Sequence, residues 1–345
     1  MDNEIDSGCD HESLTKKPKI TGFKDTSRRM RRGKEKHLGH RASLDWRSDQ
    51  DRVCNKLGDI VDCVDLAELE VILMKSRTGE ALLCGESAKG LRIYYDPQIP
   101  MSQFYPRGEE CIITLNPYRP KGDLLNMLAR ELRRAWQHHH GAMVNPMSFE
   151  PEQAVLINRA QQADVLMVSV KVAWELKLQG ESEAWNYMVG SPLSDVTRAF
   201  EIHAQKDFRS LNNGEASRAA YDKFFEDSRT KLHDKRIIHQ MLLDDHGYMK
   251  APQKQQKVGM ELFAKLGELP HGRNYLSGVG RRLPTDMCYA TIEDRSNANF
   301  LWFIKFERSF QEKELQMLKE SVRTSAEIVD FSKTLLARRQ AEKGL

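Results

Sequence analysis

The chain has 345 residues, of which 40% are hydrophobic and 30% are charged, and its formal net charge is +3. This composition predicts a folded, helix-rich core of one large domain or two smaller ones, and it excludes a protein whose whole surface binds polyanions. Six scattered cysteines without a C-x-x-C pair, a polar acidic start and no long apolar run favour a protein of the reducing cytoplasm, without a signal peptide or a membrane span.

Residues 1–50 are rich in Lys, Arg, Ser, Asp and Gly and predict a disordered tail, because they offer too little apolar surface to bury. Within this segment, residues 16–36 hold ten Lys or Arg side chains against two acidic ones. Such a run is typical of a solvated tail, or of a segment that binds nucleic acid, a membrane surface or an import receptor. Two aromatic side chains are too few for a base-stacking platform, so we favour the solvated tail.

The folded part is expected to begin at residue 51. Residues 53–74 carry apolar side chains at mixed helical and strand spacing, which predicts a helix followed by a strand. Short apolar runs bounded by Gly, Pro, Asn or Asp predict three further strands at residues 81–84, 91–95 and 111–115.

Residues 123–140 predict one long helix, with Asp123 as its N-cap and Gly141 as its stop. One side of this helix forms an apolar stripe that should be buried: Leu125, Leu128, Leu132, Ala135 and Trp136. Other side chains fall away from the stripe: Arg130, Glu131, Arg134 and His138. Three consecutive His at 138–140 point about 100° apart on a helix, so we expect a solvated last turn rather than a metal site.

The run Arg130-Glu131-Leu132-Arg133-Arg134 has the spacing of the H-E-x-x-H zinc motif, with Arg at both His positions. A protonated guanidinium offers no lone pair to a cation, so this helix should not bind zinc in the usual way. Glu131 would then remain only as a vestige of a general base.

Residues 151–179 predict a second long helix, nearly apolar in its middle and therefore central to the core. Its polar interruptions include Gln162 and Asp164. A buried carboxylate needs a partner, and we expect Asp164 to pair with Arg130 or Arg134, so that a salt bridge ties the two helices. A compatible interpretation is that Asp164 once oriented a metal ligand.

Further helices are predicted at residues 195–209, 216–247 and 258–266, with a polar linker at 250–257. The apolar run 299–306 predicts a buried strand or the start of a final helix at 307–340. The stripe of that helix should pack on the domain or pair with another chain.

Parts of the chain resemble a bacterial family described as a putative metallopeptidase domain of unknown function. The resemblance rests on A-R-E-L-R-R-A-W-Q-H-H-H-G at 129–141, N-R-A-Q-Q-A-D at 158–164 and V-A-W-E-L-K-L-Q-G-E-S-E-A-W-N-Y at 172–187. Metal-competent relatives have H-E-L-R-H-A-W-Q and then R-A-x-E-A-D-A. The resemblance implies a zincin-like fold and zinc in those relatives. It also implies that Arg130 and Arg134 occupy two His ligand positions, Gln162 that of a Glu ligand, and Glu131 that of the general base.

These observations predict a mainly helical α+β protein with a small sheet followed by long helices. We expect a disordered basic tail at 1–50, a metallopeptidase-like domain at 51–310 and a charged helix at 311–345.

Three functional hypotheses follow. The first is a pseudoenzyme without a metal or other cofactor that binds a peptide or protein, by strand addition to the sheet, near five polar residues: Arg130, Arg134, His138, Gln162 and Asp164. The second is an active metal-dependent hydrolase that uses Glu131 with His138 or His139. The third is a regulator or effector whose tail contacts nucleic acid or a receptor.

Overall fold

The computed structural model describes residues 63–107, 110–226, 229–242, 258–280 and 282–342, with side chains up to residue 321. All of them belong to the larger of two contact units of the chain, Trp46–Leu345. The predicted tail at 1–50, the start of the predicted helix near 53 and the linker at 250–257 lie outside the described residues.

Two short helices come first. Helix α1 (Leu66–Leu73) begins at Asp65, whose carboxylate accepts from the Ala67 N–H, and α2 (Arg77–Cys84) begins at Ser76, whose hydroxyl accepts from the Gly79 N–H. The strands predicted for the end of 53–74 and for 81–84 are therefore wrong. Their apolar runs are the buried faces of helices. The spacing of the apolar residues fits a helix and a strand equally well, and the N-cap hydrogen bonds favour the helix.

A three-stranded sheet follows, with β1 (Leu91–Tyr95), β2 (Ser102–Arg107) and β3 (Glu110–Leu115) in the order β1-β3-β2. Strands β1 and β3 are parallel, with Ile93 opposite Ile113, whereas β2 is antiparallel to β3. Strands β1 and β3 were predicted, and the structure confirms them. Strand β2 was not, because its polar residues and Pro106 give no apolar alternation.

The next two helices fill the centre of the domain: α3 (Lys121–His139) and α4 (Pro151–Leu178). Both were predicted, and both are confirmed to within two residues at each end. Gly141 stops α3 with a φ of +64°, a conformation that costs glycine least. Asp123 is not the N-cap, because α3 begins at Pro120. Asp123 lies in the first turn and accepts from Arg119 Nε at 2.7 Å.

The remaining helices surround α4. They are α5 (Glu183–Val189), α6 (Ser194–Lys206), α7 (Ser210–Asn213), α8 (Glu215–Phe225), α9 (Arg229–Leu242), α10 (Met260–Leu266) and α11 (Met287–Ala290). In place of one helix predicted at 216–247, the structure has α8 and α9, and residues 243–247 lie outside the described residues. Gly122 lets α3 approach α5 closely, since a Cβ atom there would lie 2.4 Å from the Glu183 carbonyl oxygen.

The last helix, α12 (Arg295–Glu342), begins before the apolar run 299–306 and continues beyond the boundary expected at 311. The run is thus the start of the final helix, one of the two structures predicted for it. Only Leu301 and Ile304 are buried, in a second core cluster with α4 and α9. Trp302 is 65% exposed, so the expectation that the whole run is buried is wrong.

The described residues are therefore mainly helical with one small sheet, which confirms the α+β prediction. Within the described parts of the chain, no helix is both long and apolar enough to cross a lipid bilayer.

Candidate functional site

The site is built where β2 meets α3. Glu131 lies on α3 and is only 4% exposed. The Ser102 hydroxyl of β2 donates to its Oε1 atom at 2.7 Å. Its second oxygen, Oε2, is buried without a hydrogen bond and lies 3.4 Å from Arg134 Nε. The Glu131 carboxylate is thus held between the edge strand and a guanidinium one turn along its own helix.

Arg134 links this carboxylate to the next helix. Its Nη2 atom donates to Gln162 Oε1 on α4 at 2.8 Å, while Nε faces Glu131. One guanidinium therefore touches the two side chains that the resemblance assigns to the general base and to the third metal ligand. The contact between Arg134 and Glu131 spans i,i+3, the spacing at which helical side chains meet. We call Ser102, Arg130, Glu131, Arg134 and Gln162 the motif cluster.

Arg130 does not contact Asp164, in contrast to one of the two pairings expected from the sequence. Its Nε atom lies 3.4 Å from the Asn126 carbonyl oxygen, and no carboxylate of the described residues lies within ion-pairing distance. The side chain is partly buried, and this desolvation lowers the pKa of Arg130 below its ordinary value. A lower pKa at a guanidinium still leaves it charged at neutral pH.

Asp164 pairs instead with Arg133, and both side chains are completely buried. The pair is bidentate, with Arg133 Nε 2.8 Å from Oδ2 and Nη2 3.0 Å from Oδ1. The prediction that Arg130 or Arg134 would be the partner is therefore wrong. Arg133 and Gln137 both reach Asp164 on α4, whereas Arg134, about 100° further round α3 than Arg133, reaches Gln162 of α4 instead.

The Asp164 carboxylate accepts two further hydrogen bonds. Gln137 Nε2 donates to Oδ2 at 2.6 Å and the Tyr275 hydroxyl donates to Oδ1 at 2.7 Å. Burial raises the pKa of Tyr275 well above its ordinary value, so its hydroxyl keeps the proton it donates. Arg133 also donates to the carbonyl oxygens of Leu266 and Glu268 and lies 3.8 Å from the Trp136 ring. This network is a structural tie between α3, α4 and the segment after α10.

Sequence reasoning missed Arg133 because the motif spacing directs attention to Arg130 and Arg134. A signal was present: Arg133 lies three residues before Trp136 and four before Gln137, two landmarks of the resemblance, and therefore shares a side of the helix with them.

The His side chains at the end of α3 are held by neighbouring rings. The partly buried His138 ring lies 6.1 Å from the Phe104 ring of β2, and His140 stacks on Trp136 at 4.1 Å. His138 is two turns from Glu131, so the structure does not bring it into the motif cluster. Over the described ranges, no group of three or more His, Cys, Asp or Glu side chains could hold a metal ion.

One histidine that the sequence did not single out interacts electrostatically with Arg134. His233 of α9 has its pKa lowered to about 4, first by burial and then by the charges of Arg236, Arg134 and Arg229. It is therefore neutral at pH 7.

The motif cluster does not fit a zinc ion. Two of the ligand positions hold guanidinium groups, which have no lone pair to donate. The amide oxygen of Gln162 already accepts from Arg134, and Glu131 is held by Ser102 and Arg134. We therefore derive no reaction step through a metal.

Comparison with known proteins supports the resemblance at the level of the family. Residues 59–277 match the model of a family described as "Putative metallopeptidase family (DUF6782)". The match covers well over half of the chain and runs from before α1 to beyond α10, so it includes the motif cluster and the Arg133–Asp164 pair. No curated protein and no solved structure matches significantly. The chain therefore belongs to this putative metallopeptidase family.

Proposed function

We propose that this family member is a metal-independent domain that binds a peptide or an extended protein segment beside β2 and α3. One observation carries the proposal: the Arg134 guanidinium links Glu131 to Gln162, at 3.4 and 2.8 Å, where a zinc hydrolase needs lone-pair donors around an open metal position. The positive charge of the Arg134 guanidinium replaces that of a bound zinc ion, but a guanidinium cannot polarise a water molecule as a Lewis acid does.

The edge of the sheet supplies a surface for the peptide. Strand β2 lies at one end of the order β1-β3-β2, and no other strand of the described residues pairs with its outer side. The Asn116 N–H donates to the Met101 carbonyl oxygen at 2.8 Å. In an antiparallel ladder the hydrogen-bonded pairs alternate along the strand, so Gln103 is the next residue of β2 whose backbone bonds to β3. The backbone groups of Ser102 and Phe104 then point outward, and an extended peptide can add there as a further strand.

Pro106 limits this surface, since it is also an outward-facing position and has no N–H to donate. A bound segment should thus make its main-chain hydrogen bonds over only a few residues, next to Glu131 and the motif cluster. This arrangement of an antiparallel edge strand beside a motif helix supports the zincin-like character that the resemblance implies.

Metal analysis tests the first half of the proposal. Protein purified without an affinity His-tag should contain no stoichiometric zinc and should show no chelator-sensitive peptidase activity. One tightly held Zn²⁺ per chain, lost in Glu131→Ala or His138→Ala, would contradict the proposal and favour a hydrolase with unusual ligands.

Backbone methylation tests the second half. A peptide selected from a random library should bind in one strand register, so N-methylation of alternate residues should abolish binding in one register and leave it nearly unchanged in the other. A library that yields no binders to the full chain, or binders insensitive to methylation in both registers, would contradict strand addition.

A further inference from the structure

The cations along the motif side of α3 are not evenly matched by anions. Arg119 pairs with Asp123 at 2.6 Å, and Arg134 faces Glu131 at 3.4 Å. Arg130 lies between these two pairs along the chain, and among the described residues its side chain contacts only a backbone carbonyl oxygen. This side of α3 therefore has one guanidinium in excess of its carboxylates.

Glu131 and Asp123 attract Arg130 electrostatically, but neither of them forms an ion pair with it. Adjacent helical residues point about 100° apart, and Glu131 is turned to Ser102 and Arg134. Because Arg130 is also partly buried, it has lost part of its hydration without gaining an ion pair, and its pKa is lowered accordingly. A partly buried cation without a counter-ion is a group that an incoming anion would stabilise.

We propose that Arg130 is an anion-binding residue of this site and that its ligand is a carboxylate of the bound peptide, from an acidic side chain or from a free C-terminus. The inference rests on the proposed function, because it assumes that a peptide lies beside β2.

The charge count favours a carboxylate over a phosphate. Only one positive charge is in excess, which matches a monoanion, whereas a phosphate monoester carries nearly two negative charges at neutral pH. The planar guanidinium also matches the two oxygens of a carboxylate. Arg130 is the residue before Glu131 on α3, and Glu131 accepts a hydrogen bond from Ser102 of β2, so a peptide added to β2 would lie near Arg130.

The test uses peptides selected on the full chain from a random library and then synthesised in matched forms. One pair exchanges each Asp or Glu for Asn or Gln, and a second pair has a free or an amidated C-terminus. Dissociation constants are measured for the wild type, Arg130→Gln and Arg130→Lys. The control is Arg92→Gln. Arg92 lies on β1, at the opposite edge of the sheet, and forms an exposed ion pair with Glu110 of β3, so this change removes the same charge away from the site. Thermal unfolding confirms that each variant is folded.

The proposal predicts that removing one of the two carboxylates weakens binding to the wild type at least about tenfold, the size of a charge-assisted hydrogen bond. The pair of peptides whose affinities differ shows whether the carboxylate belongs to an acidic side chain or to the free C-terminus. Arg130→Gln should lose this discrimination, Arg130→Lys should keep part of it, and Arg92→Gln should keep all of it.

Three outcomes would overturn the inference. The first is wild-type protein that does not discriminate in either pair. The second is folded Arg130→Gln that discriminates as well as the wild type. Both would leave peptide binding itself intact. The third, a library without any binders, contradicts the proposed function and this inference with it.

Discussion

Removal of the Arg133 side chain should lower the free energy of unfolding of the domain far more than removal of the neighbouring Arg134 side chain. In Arg133→Met, the completely buried Asp164 keeps only its hydrogen bonds from Gln137 and Tyr275, and it loses its counter-ion. Breaking a buried pair from one side costs about 3–5 kcal/mol. The loss corresponds to a fall in melting temperature of roughly 6–20 °C, at about 2–4 °C per kcal/mol.

The matched control is Arg134→Met, the same substitution one residue along α3. The Arg134 side chain is 28% exposed and its ion pair is long, so the variant should lose about 1 kcal/mol or less. Free energies of unfolding come from urea titrations, with unchanged m-values as the check on the unfolded state.

The double variant Arg133→Met with Asp164→Leu provides a further test. It removes both charges, so it should cost less than the sum of the two single changes by about 1–3 kcal/mol. Equal losses for Arg133→Met and Arg134→Met, or a strictly additive double variant, would refute the conclusion that this pair ties α3 to α4.

Three other predictions concern pH, a turn and the tail. The His233 pKa of about 4 lies below the value of about 6.5 expected in the unfolded chain. The unfolded state therefore binds the proton first, and stability should fall by roughly 1–2 kcal/mol from pH 7 to pH 5, an effect that His233→Gln should remove in urea titrations at both pH values. Gly141→Ala forces a side chain into the left-handed region at a φ of +64° and should destabilise the domain by about 1 kcal/mol, whereas no loss would show that the end of α3 relaxes. Deletion of residues 1–48 should leave the melting temperature nearly unchanged, and a fall of several degrees would show that this segment docks on the domain.

The sequence predicted the central helices α3 and α4 well because both are long and strongly periodic. The 81–84 run was too short to distinguish a strand from a helix, and the Ser76 cap, with Thr78 bound to Glu175 of α4, settled it as helix. These tertiary contacts are invisible in a single sequence.

Burial of polar side chains was also hard to predict. Arg is usually exposed, so nothing in its identity marks Arg133 as fully buried. The opposite error concerns Trp302, an aromatic residue in an apolar run that is nevertheless exposed, because only one side of α12 contacts the core. Within the site, Arg134 contacts both Glu131 and Gln162, two residues that the resemblance places together, whereas the partner of Asp164 depended on the rotation of α3.

The central claim of the proposal is that arginine side chains occupy two positions that the resemblance assigns to zinc ligands, and one reversal tests it most directly. The triple variant Arg130→His, Arg134→His and Gln162→Glu restores the ligand set and can be compared with the wild type in thermal unfolding with and without zinc. Zinc at about 100 times its dissociation constant should stabilise the variant by about 2.7 kcal/mol, seen as a zinc-dependent rise in melting temperature, and should leave the wild type unchanged. A well-folded triple variant that shows no response to zinc, or a wild type that shows an equal one, would contradict the account.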